Sequence, residues 1–275
     1  MTISTQRHAH MSTSYPKSNI FMAAKDSPVA PWKRALNYFV VVVAVVAVVG
    51  VSLSMAGIAL NFDFVVQYRA RIWDGFCLTV FISLFSLVGS LIIGIPVALG
   101  QNARFLPVRY LCDFYVKIIR GTPLIAQIYL FYYIIGTAWG VENRVVAGIL
   151  ILSVFAGAYI AEIIRGGYES LPRGPIEAAR ALGLSRTQCA ISVELPQMVS
   201  RILPALTGQF ASIIKDSSLL SVIAVIELTQ TMREISATNY NFFGCFLLLG
   251  ALYLCLTLPI MFISRYFEKK MDYDA

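Results

Sequence analysis

The stretch EAARALGLSRTQCAISVELP, Glu177 to Pro196, is a polar interruption between long apolar segments. The chain has 275 residues, of which 58% are hydrophobic and only 13% are charged, and its mean hydropathy is +0.72. Soluble domains are typically about half apolar and about a quarter charged. The composition therefore predicts an all-α polytopic membrane protein, and the polar stretch predicts an element that projects from the membrane.

Six stretches are long and apolar enough, or nearly so, to cross a hydrocarbon core roughly 30 Å thick. They lie at about 36–60, 75–100, 122–140, 145–165, 203–226 and 243–265. The first is too long and too uniform for a signal peptide, so we expect it to remain as an anchor. The segment 104–120 has apolar residues at helical spacing and a polar opposite side, which predicts a short helix along the inner membrane surface.

The distribution of basic residues predicts the orientation. If both termini are cytoplasmic, seventeen Lys and Arg residues lie in inner segments and four in outer ones. This bias predicts a multi-pass protein with the stretch 177–196 facing the cytoplasm. The net charge of +7 is spread over short loops, so we expect no nucleic-acid partner. The five cysteines lack metal-ligand spacing, and His8 and His10 lie in a polar tail, so we expect no metal site.

Helix signals define the structure of the polar stretch. Pro175 suits a first helical position, which predicts a helix over 175–182. Gly183 fits the left-handed position that ends a helix, and Ser185 with Gln188 forms the pattern of a capping box that starts the next helix. An ordinary amphipathic surface helix remains an alternative from these signals alone.

Three residues of this helix are candidates for contact with another protein. Glu177 lies in the predicted first turn, where its charge would complement the helix dipole. Ala178 and Ala179 combine high helix propensity with a small profile, which lets another surface approach the backbone closely.

Several motifs together resemble a known family. Glu177-Ala178-Ala179, Gly183 after three residues and Val193-Glu194-Leu195-Pro196 after nine more resemble the EAA signature of permease subunits of bacterial ABC importers. The family usually has isoleucine at the position of Val193. Three further stretches are similar to the polar amino acid branch: RGTPLIAQIYLFYY at 120–133, AYIAEIIRGGYESLPRGPIEAARALGLS at 158–185 and FASIIKDSSLLSVIAVIEL at 210–228.

The resemblance covers about residues 70–268 and implies the transmembrane domain of a type I ABC importer in the bacterial cytoplasmic (inner) membrane. Five of the six predicted spans would form the family's core. The remaining segments would be a cytoplasmic tail at 1–35, an extra helix at 36–60 and a C-terminal tail at 269–275.

The resemblance also implies a role for the loop 169–196, as a coupling element that sits in a groove of a cytoplasmic ATPase. Glu177 would pair with a basic or polar group there, Ala178 and Ala179 would fill the groove, and Gly183 would permit the turn. The chain has no GxxxxGK[ST] phosphate-binding loop, so ATP and Mg would be bound by the partner and no cofactor by this chain. It would be a transport subunit and no enzyme.

The same resemblance implies the other partners. These are an ATPase dimer, a second permease subunit as a homodimer or heterodimer partner, membrane lipid and an extracytoplasmic solute-binding protein. A binding protein is expected because the outer loops are too short to capture substrate themselves. It would dock near 142–144 and 227–240.

The fifth predicted span carries a candidate substrate path. Gln209, Ser212 and Asp216 are three and four residues apart and so share one helical face. Ionisable residues inside membranes are costly and usually functional, so Asp216 could meet an α-ammonium group and Gln209 a polar side chain. Alternatively, Lys215 and Asp216 mark a helix break or pair with neighbouring spans. Many relatives have an acidic residue where this chain has Gln209, which argues against a strictly cationic substrate.

Two other classes of protein remain as alternatives. A secondary transporter would need no ATPase and would show inverted repeats with buried carboxylates. A signalling or scaffold subunit would keep the loop but move no solute. The leading prediction is a permease subunit that carries a polar amino acid or a close derivative, with Glu162 and Arg165 serving structure rather than recognition.

Overall fold

The computed structural model describes residues 30–57 and 60–271, and all regular secondary structure in these residues is helical. The predicted all-α architecture is therefore confirmed. Most of the predicted tail at 1–35 and the end of the tail at 269–275 lie outside the described residues. The chain divides into two compact units, residues 1–60 and 61–275.

The first unit contains one described helix, α1 (Pro31–Met55). It begins earlier than the predicted span at 36–60, because Pro31 occupies the first helical position, where its missing donor has no intrahelical role. It ends earlier because Gly57 adopts a left-handed φ of 67° just beyond the helix.

The second unit is a succession of helices joined by short connections. In chain order they are α2 (Asp63–Gln67), α3 (Arg69–Gln101), α4 (Leu106–Gly121), α5 (Leu124–Tyr129) continued by a π-helix (Leu130–Gly136), α6 (Arg144–Glu169), α7 (Arg173–Ala181), α8 (Arg186–Cys189) continued by a π-helix (Ala190–Glu194), α9 (Leu195–Asp216) continued by a 3₁₀-helix (Ser217–Ile223), α10 (Leu228–Asn239) and α11 (Phe242–Met271).

Four helices of the described residues can cross a membrane by length and composition: α1, α3, α6 and Phe242–Tyr266 of α11. The pair of α4 with α5 and its π-helix would make a fifth if it is one broken span. The predicted count of six is therefore not confirmed. The predicted fifth span at 203–226 is interrupted, because the α-helix ends at Asp216 and the following 3₁₀-helix ends at Ile223, just before Ala224 with its φ of 55°.

A sharp bend separates α4 from α5. Their axes differ by 111°, so the segment predicted as a surface helix is not a collinear start of the next span. Gln127 braces the bend: its Nε2 donates to the carbonyl of Ile119 at 2.7 Å and to both the carbonyl and the hydroxyl oxygen of Thr122. The position of α4 along the membrane surface remains a prediction.

The main core of the second unit lies between α3 and α6. A Cβ at Gly94 of α3 would lie 2.7 Å from Ile160 Cγ2 and 2.8 Å from the carbonyl oxygen of Gly157, so only glycine allows these helices to approach this closely. The α3 and α6 core also includes buried residues of α4, α5 and the 3₁₀-helix, such as Val116, Ile128 and Leu220. A second cluster packs α2, α3, α10 and α11 together.

Candidate functional site

The loop between α6 and α9 folds as a short helix between two turns. Its helix α7 begins at Arg173, two residues before the predicted start, because Pro172 has an extended ψ of 134° and serves as the N-cap residue. Pro175 is thus the third helical residue, where a backbone donor would still have no intrahelical partner. Glu177 lies beyond the first turn, so the prediction that it complements the helix dipole there is wrong.

The end of α7 has the predicted glycine stop. Gly183 adopts a φ of 83°. Its N–H donates to the carbonyl of Arg180 at 3.0 Å, and the N–H of Leu184 donates to the carbonyl of Ala179 at 3.2 Å. This pair of bonds is a Schellman motif, which satisfies carbonyls that the helix end would otherwise leave unpaired.

The predicted capping box follows at once. The Ser185 side chain accepts from the N–H of Gln188, and the Gln188 side chain accepts from the N–H of Ser185. From Arg186 the chain is helical through α8, the π-helix and α9 to Asp216. The turn between α7 and α8 is therefore fixed at one end by the backbone bonds around Gly183 and at the other by the capping bonds of Ser185 and Gln188.

The two faces of α7 differ in exposure. Glu177 and Ala178 are exposed, as is Ala181, and the Leu182 side chain is 81% exposed. Ala179 is only 6% exposed, so it faces the interior of the loop. Sequence reasoning did not single out Leu182, although it lies four residues after Ala178 and so on the same face.

The predicted path residues lie together on α9. Gln209, Ser212 and Asp216 are all half-buried, on one face of a continuous α-helix. The Ser212 hydroxyl donates to the carbonyl of Gly208, and Asp216 makes no hydrogen bond or salt bridge within the described residues. The α-helix ends at Asp216, as the helix-break alternative expected, but Asp216 forms no salt bridge with a neighbouring span in that part of the chain.

An ion-pair network joins α4 to the end of α6. Arg120 Nη1 lies 3.1 Å from Glu162 Oε2, and Arg165 pairs with both Glu162 and Glu169. The Arg120 guanidinium also lies 5.5 Å from the ring centre of Tyr159. The network supports the structural role expected for Glu162 and Arg165, and it stands directly before α7.

The region predicted to meet an extracytoplasmic protein is only partly accessible. Glu227 is fully buried and caps α10, accepting from the N–H groups of Thr229 and Gln230 and from the Tyr253 hydroxyl. It cannot contact another protein in this conformation. Tyr240, at the other end of α10, is 92% exposed.

The chain belongs to the family described as "Binding-protein-dependent transport system inner membrane component", which matches residues 90–273. It is therefore a permease subunit of an ABC importer, a multi-pass inner-membrane transport subunit whose ATPase is a separate chain. The same membership confirms the predicted type I fold.

Two relatives of this chain have names that refer to glutamine transport. The chain is 33% identical over 199 residues to "Probable glutamine ABC transporter permease protein GlnM" of Bacillus subtilis (strain 168), covering 72% of this chain and 92% of that one. It is 35% identical over 201 residues to "Glutamine transport system permease protein GlnP" of Escherichia coli (strain K12), covering 72% and 91%.

Two solved structures share the fold. One is described as "Crystal structure of an amino acid ABC transporter with histidines" and matches with a TM-score of 0.72 and 29% identity, over 78% of this chain and 100% of that one. The other shows "Inward facing conformations of the MetNI methionine ABC transporter"; its TM-score is 0.60 at 20% identity, over 76% of this chain and 99% of that one. The second supports the fold alone.

Proposed function

We propose that this permease subunit carries glutamine or a similar uncharged polar amino acid into the cytoplasm. The names of the two relatives described above support glutamine as the substrate. Gln209 also supports it, because an amide on the α9 face can exchange hydrogen bonds with an amide side chain but offers a cation no charge.

The ATPase docks on the solvent-exposed face of α7, within the cytoplasmic loop 169–196. Gly174, Glu177, Ala178, Ala181 and Leu182 follow the spacing of one helical face and are all exposed. Glu177 pairs with a basic or polar group of the ATPase, and the two alanines admit the groove wall. Leu182 adds an apolar contact at one end.

The other two predicted docking residues, Ala179 and Gly183, support this face without being part of it. Ala179 packs inside the loop, and Gly183 sets the turn through its left-handed backbone. ATP and Mg are bound by the ATPase dimer. Closure of that dimer on ATP moves α7, and because α7 is capped at its end and followed by a capped α8, the motion passes to α9.

The assembly contains two permease subunits, as a homodimer or with a similar partner, and an extracytoplasmic binding protein. Both termini are cytoplasmic, as the excess of basic residues in the inner segments supports. The binding protein contacts the exposed residues around Glu142–Arg144 and Tyr240. The amino acid then passes along Gln209, Ser212 and Asp216, with Asp216 meeting the α-ammonium group.

The observation that carries the docking proposal is that α7, followed by a turn that is capped on both sides, presents a solvent-exposed face. It is tested with Glu177→Lys in the transporter assembled with its ATPase and binding protein in proteoliposomes. We expect ATP-driven glutamine uptake and ATPase co-purification to be lost while the subunit still inserts. Asp74→Lys is the matched control, since Asp74 is an exposed acidic residue of α3 without a salt bridge in the described residues. Normal coupled uptake by Glu177→Lys would show that the ATPase docks elsewhere.

The path is tested separately with Asp216→Ala. We expect lower glutamine uptake while the ATPase stays bound, because α7 is untouched. Unchanged uptake across a panel of amino acids would remove Asp216 from the path. ATPase binding by the unaltered chain with no uptake of any amino acid would instead favour the scaffold alternative.

A further inference from the structure

A polar cavity of about 410 Å³ lies beside α4. Its walls are the C-terminal end of α3, one side of α4 and the last turns of α6, including Arg165 and Glu169. Glu169 is the final residue of α6 and stands just before the loop that carries α7. The cavity therefore opens at the same end of the second unit as the coupling loop.

Two cations of this cavity form no salt bridge, and one buried oxygen accepts no hydrogen bond, within the described residues. Arg109 and Lys117 line it and form no salt bridge within residues 60–271. Gln101 is 7% exposed; its Nε2 donates to Asp113 Oδ1 at 3.0 Å, but its Oε1 has no hydrogen-bond partner in the part of the chain that the structure describes. A buried amide oxygen without a partner is costly, so its presence points to a hydrogen-bond donor from outside the chain.

The other charged groups of the cavity are already neutralised. Arg120 and Arg165 pair with Glu162, and Arg165 also pairs with Glu169. Among the described residues, the site that remains is thus two cations without a salt bridge beside the Asp113 carboxylate, with the unused acceptor Gln101 Oε1. It suits a ligand that carries one negative charge together with a hydroxyl or similar donor.

The face of α4 next to the cavity is apolar and exposed. Arg109 and Lys117 lie eight residues apart on one side of the helix, and an adjoining stripe carries large side chains that are 48% to 68% exposed: Leu106, Tyr110, Leu111, Phe114 and Ile118. A polar cavity that borders an apolar helix surface matches the amphipathic form of a membrane lipid.

We propose that this cavity binds the headgroup of an anionic phospholipid whose acyl chains lie along the apolar stripe of α4. Arg109 and Lys117 bind the phosphate, and Gln101 Oε1 accepts a hydrogen bond from a headgroup hydroxyl, such as those of phosphatidylglycerol. A free phosphate dianion fits less well, because Asp113 would repel its second charge. The lipid joins α4 to the base of α6 beside the Arg120–Glu162 pair.

The test is native mass spectrometry of the full chain, released from detergent micelles and titrated with phosphatidylglycerol or phosphatidylcholine. We expect one phosphatidylglycerol to bind preferentially. The double variant Arg109→Gln with Lys117→Gln removes two contacts with the headgroup and should weaken the first binding event on the order of thirtyfold. Both side chains are exposed and form no salt bridge with another described residue, so the variant should fold.

The matched control removes the same charge elsewhere. Arg201→Gln with Arg265→Gln replaces two exposed arginines that lack salt bridges in the described residues and do not line the cavity, and it should change phosphatidylglycerol affinity less than twofold. Gln101→Leu should lower the preference for phosphatidylglycerol over phosphatidic acid, which lacks the glycerol hydroxyls.

Three results would overturn the proposal. The first is equal affinity of the cavity variant and the control variant for phosphatidylglycerol. The second is equal binding of phosphatidylglycerol and phosphatidylcholine by the unaltered chain, which would indicate unselective lipid contact. The third is displacement of phosphatidylglycerol by glycerol 3-phosphate at equal concentration, which would identify a site for a soluble anion.

Discussion

The turn at Gly183 offers the sharpest test of how α7 is held. Gly183 has a φ of 83°, and a Cβ at this position would meet no heavy atom of residues 30–57 or 60–271 within 4 Å. Substitution therefore introduces backbone strain and no steric clash. A left-handed conformation costs an ordinary L-residue about 1–2 kcal/mol. Gly183→Ala should therefore lower the equilibrium constant that favours the observed loop conformation over others about five- to thirtyfold. Asn tolerates this backbone better and a β-branched residue worse.

The assay is ATP-driven amino acid uptake by the reconstituted transporter, with ATPase co-purification measured in parallel. We expect the smallest loss of uptake in Gly183→Asn, a larger loss in Gly183→Ala and the largest in Gly183→Val, while all three variants insert normally. Gly166→Ala is the matched control, since Gly166 lies in α6 with open space around it and an ordinary φ, where alanine is favoured by about 0.5–1 kcal/mol. Unchanged uptake by Gly183→Val, or an equal loss in Gly166→Ala, would refute the reasoning.

Three further predictions concern the stability of the fold, each measured as the thermal unfolding temperature in detergent. Gly94→Val should destabilise by about 1–3 kcal/mol through overpacking against Ile160, and an unchanged unfolding temperature would mean that α3 and α6 are not this close. Glu227→Ala should cost about 1–3 kcal/mol because it leaves the Tyr253 hydroxyl and the first N–H groups of α10 without their acceptor; full stability would contradict the buried cap. Gln127→Leu should lower the unfolding temperature and increase proteolysis at the bend between α4 and α5 because it removes all three bonds of the brace; cleavage no faster than in the unaltered chain would show that glycine and proline alone hold the bend.

The features of the loop that were predictable are the ones encoded within a few residues. The Gly183 stop and the Ser185 capping box were predicted correctly because each depends on bonds between residues at most five positions apart. The start of α7 was misplaced by two residues, because Pro175 was assigned to the first helical position and is the third, after the extended N-cap residue Pro172.

The count of spans was less predictable for a related reason. Apolar length identified α1, α3, α6 and α11. It did not identify where the fifth predicted span breaks at Asp216, because a 3₁₀ turn and an α turn have nearly the same hydropathy pattern. The 111° bend after α4 was signalled by glycine and proline, but its angle depends on how Gln127 bonds back to the end of α4.

The amino-acid sequence by itself determined that this is an all-helical membrane protein with a capped polar helix between its spans, and its motifs placed it in the ABC permease family. Only the tertiary structure decided which way the side chains point. It turned Ala179 inward and Leu182 outward, buried Glu227, and brought Arg120 to Glu162. Helix caps and apolar length arise from neighbours along the chain, whereas burial and ion pairing arise from neighbours in space that no local pattern specifies.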